Sequence, residues 1–575
     1  MIHTALGQLT ADMIVTNGRI LNVYTGELLE GLSIGIKGSK IAYVGKIPEG
    51  SRGDGTQIVD AQGGTIIPGF IDGHAHLAWL YQTHEFLRHA IPRGATTIIT
   101  ETMEVFPIMG YEGVRELLKS CARQPIKIFA TAPAMVSISK KVRGIPREIL
   151  AKLLRREDIL GLGESYWQAI LQEPERFLPL FSQTQRRGKS LEGHSAGARG
   201  EKLMAYVAAG ISSCHEPINM EEVRERLRLG LYVMVREGSI RRDLAAIAPI
   251  KDASIDLRRL ILVSDGVEPV DLLERGHMDS IVQKAIDCGF PPAQAVQMAT
   301  LNVAEHFSLA HLIGGIAPGR YADLLIIPDL AKIEPRCVIS NGRMVAEEGK
   351  CLVPPRKHAF SRKSRQSVQL PRPATAGDFQ VRAADPVPEA RVRVIDQITD
   401  LVTKEIVLAL PVVNGEIRQD LNRDILKVAA IDRTHNPGEC FVGFIRGFQL
   451  KRGALASSAS WDTSDIIIVG ADDADMAAAV RRIHDLQGGS AICAEGKILA
   501  EVAHPVFGLL SDAEIGVLAQ DLAHFTETAH LLGIPFPNPL LTLITLTGAA
   551  IPYLRICEEG LVNLKDGITK GLFIE

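Results

Sequence analysis

Two histidines, His74 and His76, stand one residue apart where the apolar run of PGFIDGHAHL (68–77) ends. Residues i and i+2 of a strand share a face, so these two imidazoles aim at one point. Further along, other metal-competent side chains also end short apolar runs: Glu164 in LGLGE, His194 in LEGH, His215 in ISSCH and Asp265 in LILVSD. Imidazole nitrogen and carboxylate oxygen are ligands for borderline divalent ions such as zinc, manganese and iron. Six such groups exceed one tetrahedral site. They suit two ions, with Glu164 placed to bridge them. Ions held there would lower the pKa of bound water from 15.7 toward roughly 7, giving hydroxide at neutral pH. Asp265, beside that water, would accept its proton and hand it to a leaving group. Asp265 and Glu164 are therefore the candidate catalytic residues.

Something must bring these residues together. Apolar runs occur at 66–71, 96–100, 127–131, 159–162, 190–193, 211–213, 231–235 and 260–264. Helix-like text such as GYEGVRELLKSCARQ and NMEEVRERLRLG separates most of them. Eight strands alternating with helices predict parallel βα units, and eight is the number that closes a barrel. Active sites of such barrels sit at the C-terminal strand ends, where all six residues fall. A doubly wound open sheet is the alternative; no GxGxxG follows the first strand, which counts against dinucleotide binding.

The flanks read differently. DMIVTNGRILNV carries Asn17-Gly18, a hairpin signal, and LSIGIKGSKIAYVG alternates apolar and polar residues. The same texture returns in ADLLIIPDLAKIEPRCVISNGRMVAEEGK, with Asn341-Gly342. The two segments are expected to pair into one small sheet domain. The predicted organisation is residues 1–65 and 311–352 as two halves of a composite β domain, 66–310 as the barrel, 353–378 as a basic, proline-bearing linker, and 379–575 as a C-terminal α/β domain. Asp472, Asp473 and Asp475 open a helix there and are explained by capping and the helix dipole.

Composition bounds the rest. With 575 residues the chain exceeds one ordinary core; 46% hydrophobic and 23% charged residues suit a soluble globular protein. A net charge of −4 gives no basic field for nucleic acid or an acidic membrane. Eight cysteines without a CxxC pair argue for a reducing compartment. MIHTALGQLTADMIV lacks the basic and apolar regions of a signal peptide, so a cytoplasmic location is expected. The uncharged stretch Leu531–Leu554 is broken by Pro535, Pro537, Pro539 and Pro552 and is expected to be buried core.

PGFIDGHAH opening a barrel between two β segments resembles the amidohydrolase superfamily. GLGE, AYVAAGISSCHE, LRLGLYVMVREGS, MATLNVAEHF, GGIAPGRYADLLII, VGFIRGFQLKRGALASS and IIIVGADDADMAAAV together resemble the bacterial adenine deaminases. The resemblance implies a (β/α)8 TIM-type metal-dependent hydrolase barrel with a small composite β domain and a C-terminal α/β domain. It implies His74, His76, Glu164, His194, His215 and Asp265 as metal ligands, with two Mn or Fe ions per chain (zinc is also suitable). It implies hydrolysis of adenine to hypoxanthine and ammonia, a purine base as the only partner besides further copies of the chain, and no nucleic acid or membrane. Some positions depart from the family pattern. Leu77, Ala78, Trp79 and Leu80 replace Ile-Glu-Ser-Ser; Glu101, Thr102, Met103 and Glu104 replace Asp-Pro-His-Glu; Gly266 replaces a second Asp; Trp461, Asp462, Thr463 and Ser464 replace His-Asp-Ser-His. Lost hydrogen-bonding groups can change a substrate. The rival expectations are a hydrolase of another aminated heterocycle or cyclic amide, and a metal-binding paralogue without catalysis. Glu216, Arg236, Glu237, Ser239, Glu101 and Glu104 are the candidate substrate-binding residues. Cys214, next to a strand-end ligand, points the other way and is expected to pack.

Overall fold

The apolar runs of the middle of the chain become eight short strands. In the computed structural model, which describes residues 1–134, 137–142, 144–383, 387–551 and 553–574, they are β1 (Phe70–Ala75), β2 (Ala95–Thr100), β3 (Lys127–Ala132), β4 (Ile159–Tyr166), β5 (Ser190–His194), β6 (Ser213–Cys214), β7 (Tyr232–Arg236) and β8 (Leu260–Val263). β1 to β5 form one parallel arc and β6 to β8 another. Two seams close the ring. Ser212 N donates to Leu191 O at 2.9 Å between β5 and β6, and Asp265 N donates to His74 O at 3.0 Å between β8 and β1. This is the (β/α)8 barrel, not the open doubly wound sheet.

Side-chain alternation fills both faces of the ring. Met234 of β7 packs inside with Ile71, Ile99, Ile261 and Val263. Its neighbours Val233 and Val235 join the outer core with helix residues such as Leu117, Leu118 and Val223. A strand of period 2 does this whenever both faces are covered. The helices stand where their text placed them, at Phe106–Cys121 and Met220–Arg228. Asn219 caps the latter, its side chain accepting from Glu222 N at 3.0 Å.

The first apolar run is divided. Thr65–Pro68 leaves the barrel and pairs in parallel with Arg19–Asn22 and antiparallel with Leu324–Ile327. The chain before and after the barrel thus shares one seven-stranded sheet. A four-stranded sheet packs on it through Val15, Ile36, Ile66, Leu324 and Ile339. The hairpin expected at Asn17-Gly18 does not form. Asn17 does turn the chain (φ 56°), but Met13–Thr16 and Arg19–Asn22 go to different sheets. At Asn341-Gly342 (φ 52° and 72°) Cys337–Ser340 does fold back on Arg343–Glu347, as positive φ at both positions of a two-residue turn favours.

The basic segment after residue 352 is strapped down. Arg356 Nη2 donates to Ala122 O at 2.9 Å, Ser361 N donates to Glu116 Oε1 at 2.5 Å, and Arg365 pairs with Asp512 at 2.5 Å. Beyond it, a ten-stranded sheet runs from Val381–Arg382 to Lys497–Ala503. Helix Asp473–Leu486 packs on it, and Asp472 caps that helix by accepting from Ala474 N at 2.9 Å and Asp475 N at 3.0 Å. The other two aspartates have further duties: Asp473 pairs with Lys427 at 2.7 Å, and Asp475 accepts from Gly496 N at 2.7 Å. A short parallel pairing of Leu510–Ser511 with Leu80–Tyr81 ties this C-terminal region to the loop after β1. Leu540, Leu541, Leu543 and Ile544 are buried in the core, and among the described residues no helix is long and apolar enough to cross a membrane. All eight thiols are free.

Candidate active site

The strand ends bring the six candidate ligands to one place. Glu164 Oε1 lies 3.2 Å from His74 Nε2, 3.3 Å from His76 Nε2 and 3.5 Å from His215 Nε2. Asp265 Oδ1 lies 3.1 Å from His74 Nε2, 3.4 Å from His76 Nε2 and 4.0 Å from His215 Nε2. The His194 and His215 rings meet edge to face at 5.0 Å. All six side chains are buried. Asp265 holds its position in left-handed backbone (φ 60°) just past the end of β8, and its N–H is the donor of the β8–β1 seam. Beneath it, Asp72 of β1 accepts from Ser264 N at 3.1 Å and Ser264 Oγ at 2.6 Å and meets His277 Nε2 at 3.0 Å. One aspartate therefore fixes the two strand ends that carry His74 and Asp265 relative to each other.

A further ring of carboxylates orients the imidazoles. Glu104 Oε1 is 2.5 Å from His76 Nδ1, and Glu216 Oε1 is 3.0 Å from His215 Nδ1. A carboxylate on the far nitrogen sets the tautomer and turns the near nitrogen toward the centre. Glu216 also accepts from Ser195 N at 2.5 Å and Ser195 Oγ at 3.0 Å, so it fastens the loop after β5 as well. Glu101 lies behind, 3.7 Å from His74 Nδ1, and burial pushes its carboxyl up to about 7. Arg236 reaches Asp265 Oδ2 at 3.5 Å and Asp243 at 2.9 Å.

The charge balance suits divalent cations. Around the imidazoles the buried carboxyl groups of Glu101, Glu104, Glu164, Glu216 and Asp265 crowd together with the guanidinium of Arg236, and Asp462 adds a further buried carboxyl to the cavity. Burial alone would lower the His74 imidazole, yet hydrogen bonds from Asp265 and Glu164 push it up to about 10. Burial would raise Asp265 and Glu164, yet contacts with His74 and His76 hold both well below the usual carboxylate range. The carboxylates demand positive charge at the point where the imidazole nitrogens converge. The donor set, nitrogen and oxygen without sulfur, is that of zinc, manganese or iron. Cys214 is no rival nucleophile: burial pushes its thiol up to about 12.

Above this floor lies a cavity of about 380 Å³ lined by His76, Glu104, Glu164, His194, His215, Glu216, Arg236 and Asp265 from the barrel, and by Leu401, Trp461, Asp462 and Ile551 from the C-terminal region. The amidohydrolase family matches residues 65–345 and the adenine deaminase C-terminal domain matches 400–567. An adenine deaminase of Moorella thermoacetica is 36% identical over 98% of this chain and 96% of its own length. Relatives of the same description from Cenarchaeum symbiosum and Mesorhizobium japonicum are 34% and 33% identical, over 98% and 100% of this chain and 92% and 96% of their own. The chain belongs to the adenine deaminase family.

Within this family member, ten of the twelve predicted site residues meet at the barrel mouth and two do not. Glu237 pairs with Lys284 at 2.5 Å, and Ser239 donates to Asp271 at 2.6 Å; neither lines the cavity. Strand alternation is the reason: if Arg236 faces the centre, Glu237 faces out. Three further cavity residues are not among the predicted site residues, although Trp461 and Asp462 stand in a stretch that departs from the family pattern. Tyr166, two residues past Glu164 on β4, packs edge to face on His194 at 4.9 Å. Its hydroxyl donates to Asp462 Oδ1 at 3.2 Å. Trp461 stacks beside His76 at 6.0 Å. Tyr166 could have been found by the same i, i+2 rule that pairs the histidines; Trp461 and Asp462 lie almost 300 residues further along the chain.

Proposed function

We propose that this chain is a binuclear metal-dependent adenine deaminase, hydrolysing adenine to hypoxanthine and ammonia. The observation that carries the proposal is the convergence of six metal-competent groups under one cavity, in a chain related over 98% of its length to adenine deaminases. His74, His76, Glu164, His194, His215 and Asp265 would hold the ions, with Glu164 Oε1 close to the imidazoles of His74, His76 and His215. Bound divalent ions supply Lewis acidity and make water a nucleophile at neutral pH.

The protein's own groups do the rest. Asp265, ionised and steadied by Arg236 and the seam to His74, accepts the proton of the attacking water and passes it to the departing amino group. The C6–O bond forms first, making C6 tetrahedral; the C6–N bond then breaks, ammonia leaves, and the remaining C6 hydroxyl proton moves to N1 to give hypoxanthine. Glu104 and Glu216 keep His76 and His215 in the ligating tautomer. The apolar side chains of Leu401 and Ile551 keep bulk water out of the cavity. Mn or Fe is the metal the family resemblance favours. About two ions per chain are expected from elemental analysis of Mn-expressed protein; well below one, in folded protein, would sink the site. A carboxylate bridge needs no carboxylated lysine, so added bicarbonate is expected to leave the rate unchanged.

A second reading rests on Met103 and Trp461. Both line the cavity where the family pattern has histidine. They remove two polar contacts, which favours a different aminated heterocycle or a cyclic amide. Ammonia release from purines, pyrimidines and cyclic amides, with Mn-loaded protein, separates the readings. Adenine as the best substrate supports the first. Turnover of another ring with adenine untouched replaces it with the second.

A further inference from the structure

Asp462 comes from the C-terminal region, not the barrel, yet its buried carboxyl lines the same cavity as the candidate ligands. It sits in left-handed backbone (φ 58°), a conformation that costs a non-glycine residue and persists only where the surroundings impose it. The surroundings are visible. Ala549 N donates to Asp462 Oδ2 at 2.7 Å, and Ser137 Oγ donates to the Asp462 carbonyl oxygen at 2.5 Å. On the cavity side, Oδ1 meets the Tyr166 hydroxyl at 3.2 Å. Trp461, the preceding residue, sets an aromatic face beside it.

We infer that the Asp462 carboxyl, paired with Tyr166, is the specificity-determining group that donates a hydrogen bond to a ring nitrogen of the heteroaromatic base. The inference rests on the deaminase reading and adds which residue reads the ring. Among the described residues no cation pairs with this carboxyl: its side-chain partners are one backbone N–H and one phenol. Burial pushes it up to about 8, the Ala549 N–H and the Tyr166 hydroxyl opposing and Glu164 and Glu104 adding to the rise. A buried carboxyl with no charged partner favours its neutral form, which has one O–H to place. Oδ2 is occupied as an acceptor, so the proton belongs to Oδ1, on the Tyr166 side. Given to the base, or given to Tyr166 so that the phenol O–H is released to the base, it yields one donor facing the cavity. A base with an acceptor nitrogen there is favoured; a base with C–H there leaves a buried donor unpaired, which is costly.

The experiment crosses enzyme variants with ring analogues. kcat/KM is measured for the Mn-loaded wild type, Asp462→Ala and Asp462→Asn on adenine and on its 1-deaza, 3-deaza and 7-deaza analogues. Asp462→Asn keeps a donor and is expected to retain activity within about tenfold, whereas Asp462→Ala is expected to lose about 10²-fold or more on adenine. For one deaza analogue the wild type is expected to fall to the level of Asp462→Ala, because that analogue lacks the acceptor. Equal loss by Asp462→Ala on adenine and all three analogues would mean that Asp462 only supports the fold, and would overturn the inference while leaving the deaminase reading intact. A wild type silent on adenine would overturn both. Should Asp462→Ala fail to fold, the inference stands or falls on Asp462→Asn: a loss of about 10²-fold on adenine by this donor-bearing variant would overturn it.

Discussion

Asp265 and Asp462 are two aspartates at one cavity, both buried, both in left-handed backbone (φ 60° and 58°). They differ in company. Asp265 ends a barrel strand among imidazoles and an arginine, which hold it well below the usual range against its burial. Asp462 hangs from the C-terminal region beside a backbone N–H and a phenol, and burial pushes it up to about 8. Burial is the same for both; the neighbours decide. One group is placed to take a proton and the other to keep one. When environments drive two carboxyls apart in this way, acid and base roles are assigned by structure and not by residue type. On the proposals above, the floor of the cavity carries chemistry and its roof carries recognition.

The strongest way to break this comparison is Asp265→Asn. The amide keeps size and a coordinating oxygen but cannot accept the proton. Turnover normalised to metal content is expected to fall by about 10²–10⁴-fold, the usual contribution of general acid–base catalysis. A variant that melts early yet turns over normally would reduce Asp265 to a structural turn residue. Next in size is the support beneath the ligands. Glu104→Gln leaves His76 without the carboxylate 2.5 Å from its Nδ1. Metal affinity is expected to drop about 10–100-fold, as for other such outer carboxylates. Competition against a chelator measures it, and unchanged affinity would show that Glu104 faces substrate instead.

The roof half of the comparison is tested by stability against pH. Asp462 has a folded-state pKa of about 8 against an ordinary 3.8. Between those values the folded chain keeps a proton that the unfolded chain has lost, so the contribution of this group is full below roughly pH 4 and disappears as pH rises toward 8. Asp462→Asn cannot ionise and is exempt. Its melting temperature relative to wild type is therefore expected to climb as pH rises from about 5 to about 8. A constant difference would mean that Asp462 is ionised in the fold, like Asp265, and the contrast would collapse.

Legibility from sequence followed the same division. The floor could be read because a (β/α)8 barrel gathers strand ends by topology, and the residues ending the apolar runs were the ones gathered. The roof could not. Trp461 and Asp462 stood out as a departure from the family pattern, but their place over the cavity depends on contacts spanning hundreds of residues, such as Tyr166 with Asp462, which no local pattern encodes. The two Asn-Gly pairs make the point on a smaller scale. Each produced a tight turn with positive φ at Asn, at 17 and at 341. Only the second made a hairpin, because whether two adjoining strands pair depends on which sheet offers each a partner. For Met13–Thr16 the partners were Ser33–Lys37 and Gln57–Asp60. The strand boundary at 65–70 was blurred for a related reason. Thr65–Pro68 and β1 are both fully buried, and a continuous apolar run does not reveal that it serves two sheets.

The smallest expected effect checks where the floor ends. Glu237 follows Arg236 directly, and proximity in sequence suggests a pocket role. Alternation puts it outside, and there it pairs with Lys284 at 2.5 Å and accepts weakly from Leu244 N at 3.4 Å. Lys284 is partly exposed, and an ion pair open to solvent contributes only about 0–1 kcal/mol. Glu237→Gln is therefore expected to lower the melting temperature slightly and to leave kcat and KM within about twofold of wild type. Arg236→Lys is the companion measurement. It keeps the charge but not the fork that reaches Asp243 and Asp265 together, so its turnover is expected to fall while that of Glu237→Gln does not. If the two variants lose turnover alike, the site extends past Arg236, and the strand-end rule that picked out the candidate ligands has been drawn one residue too short.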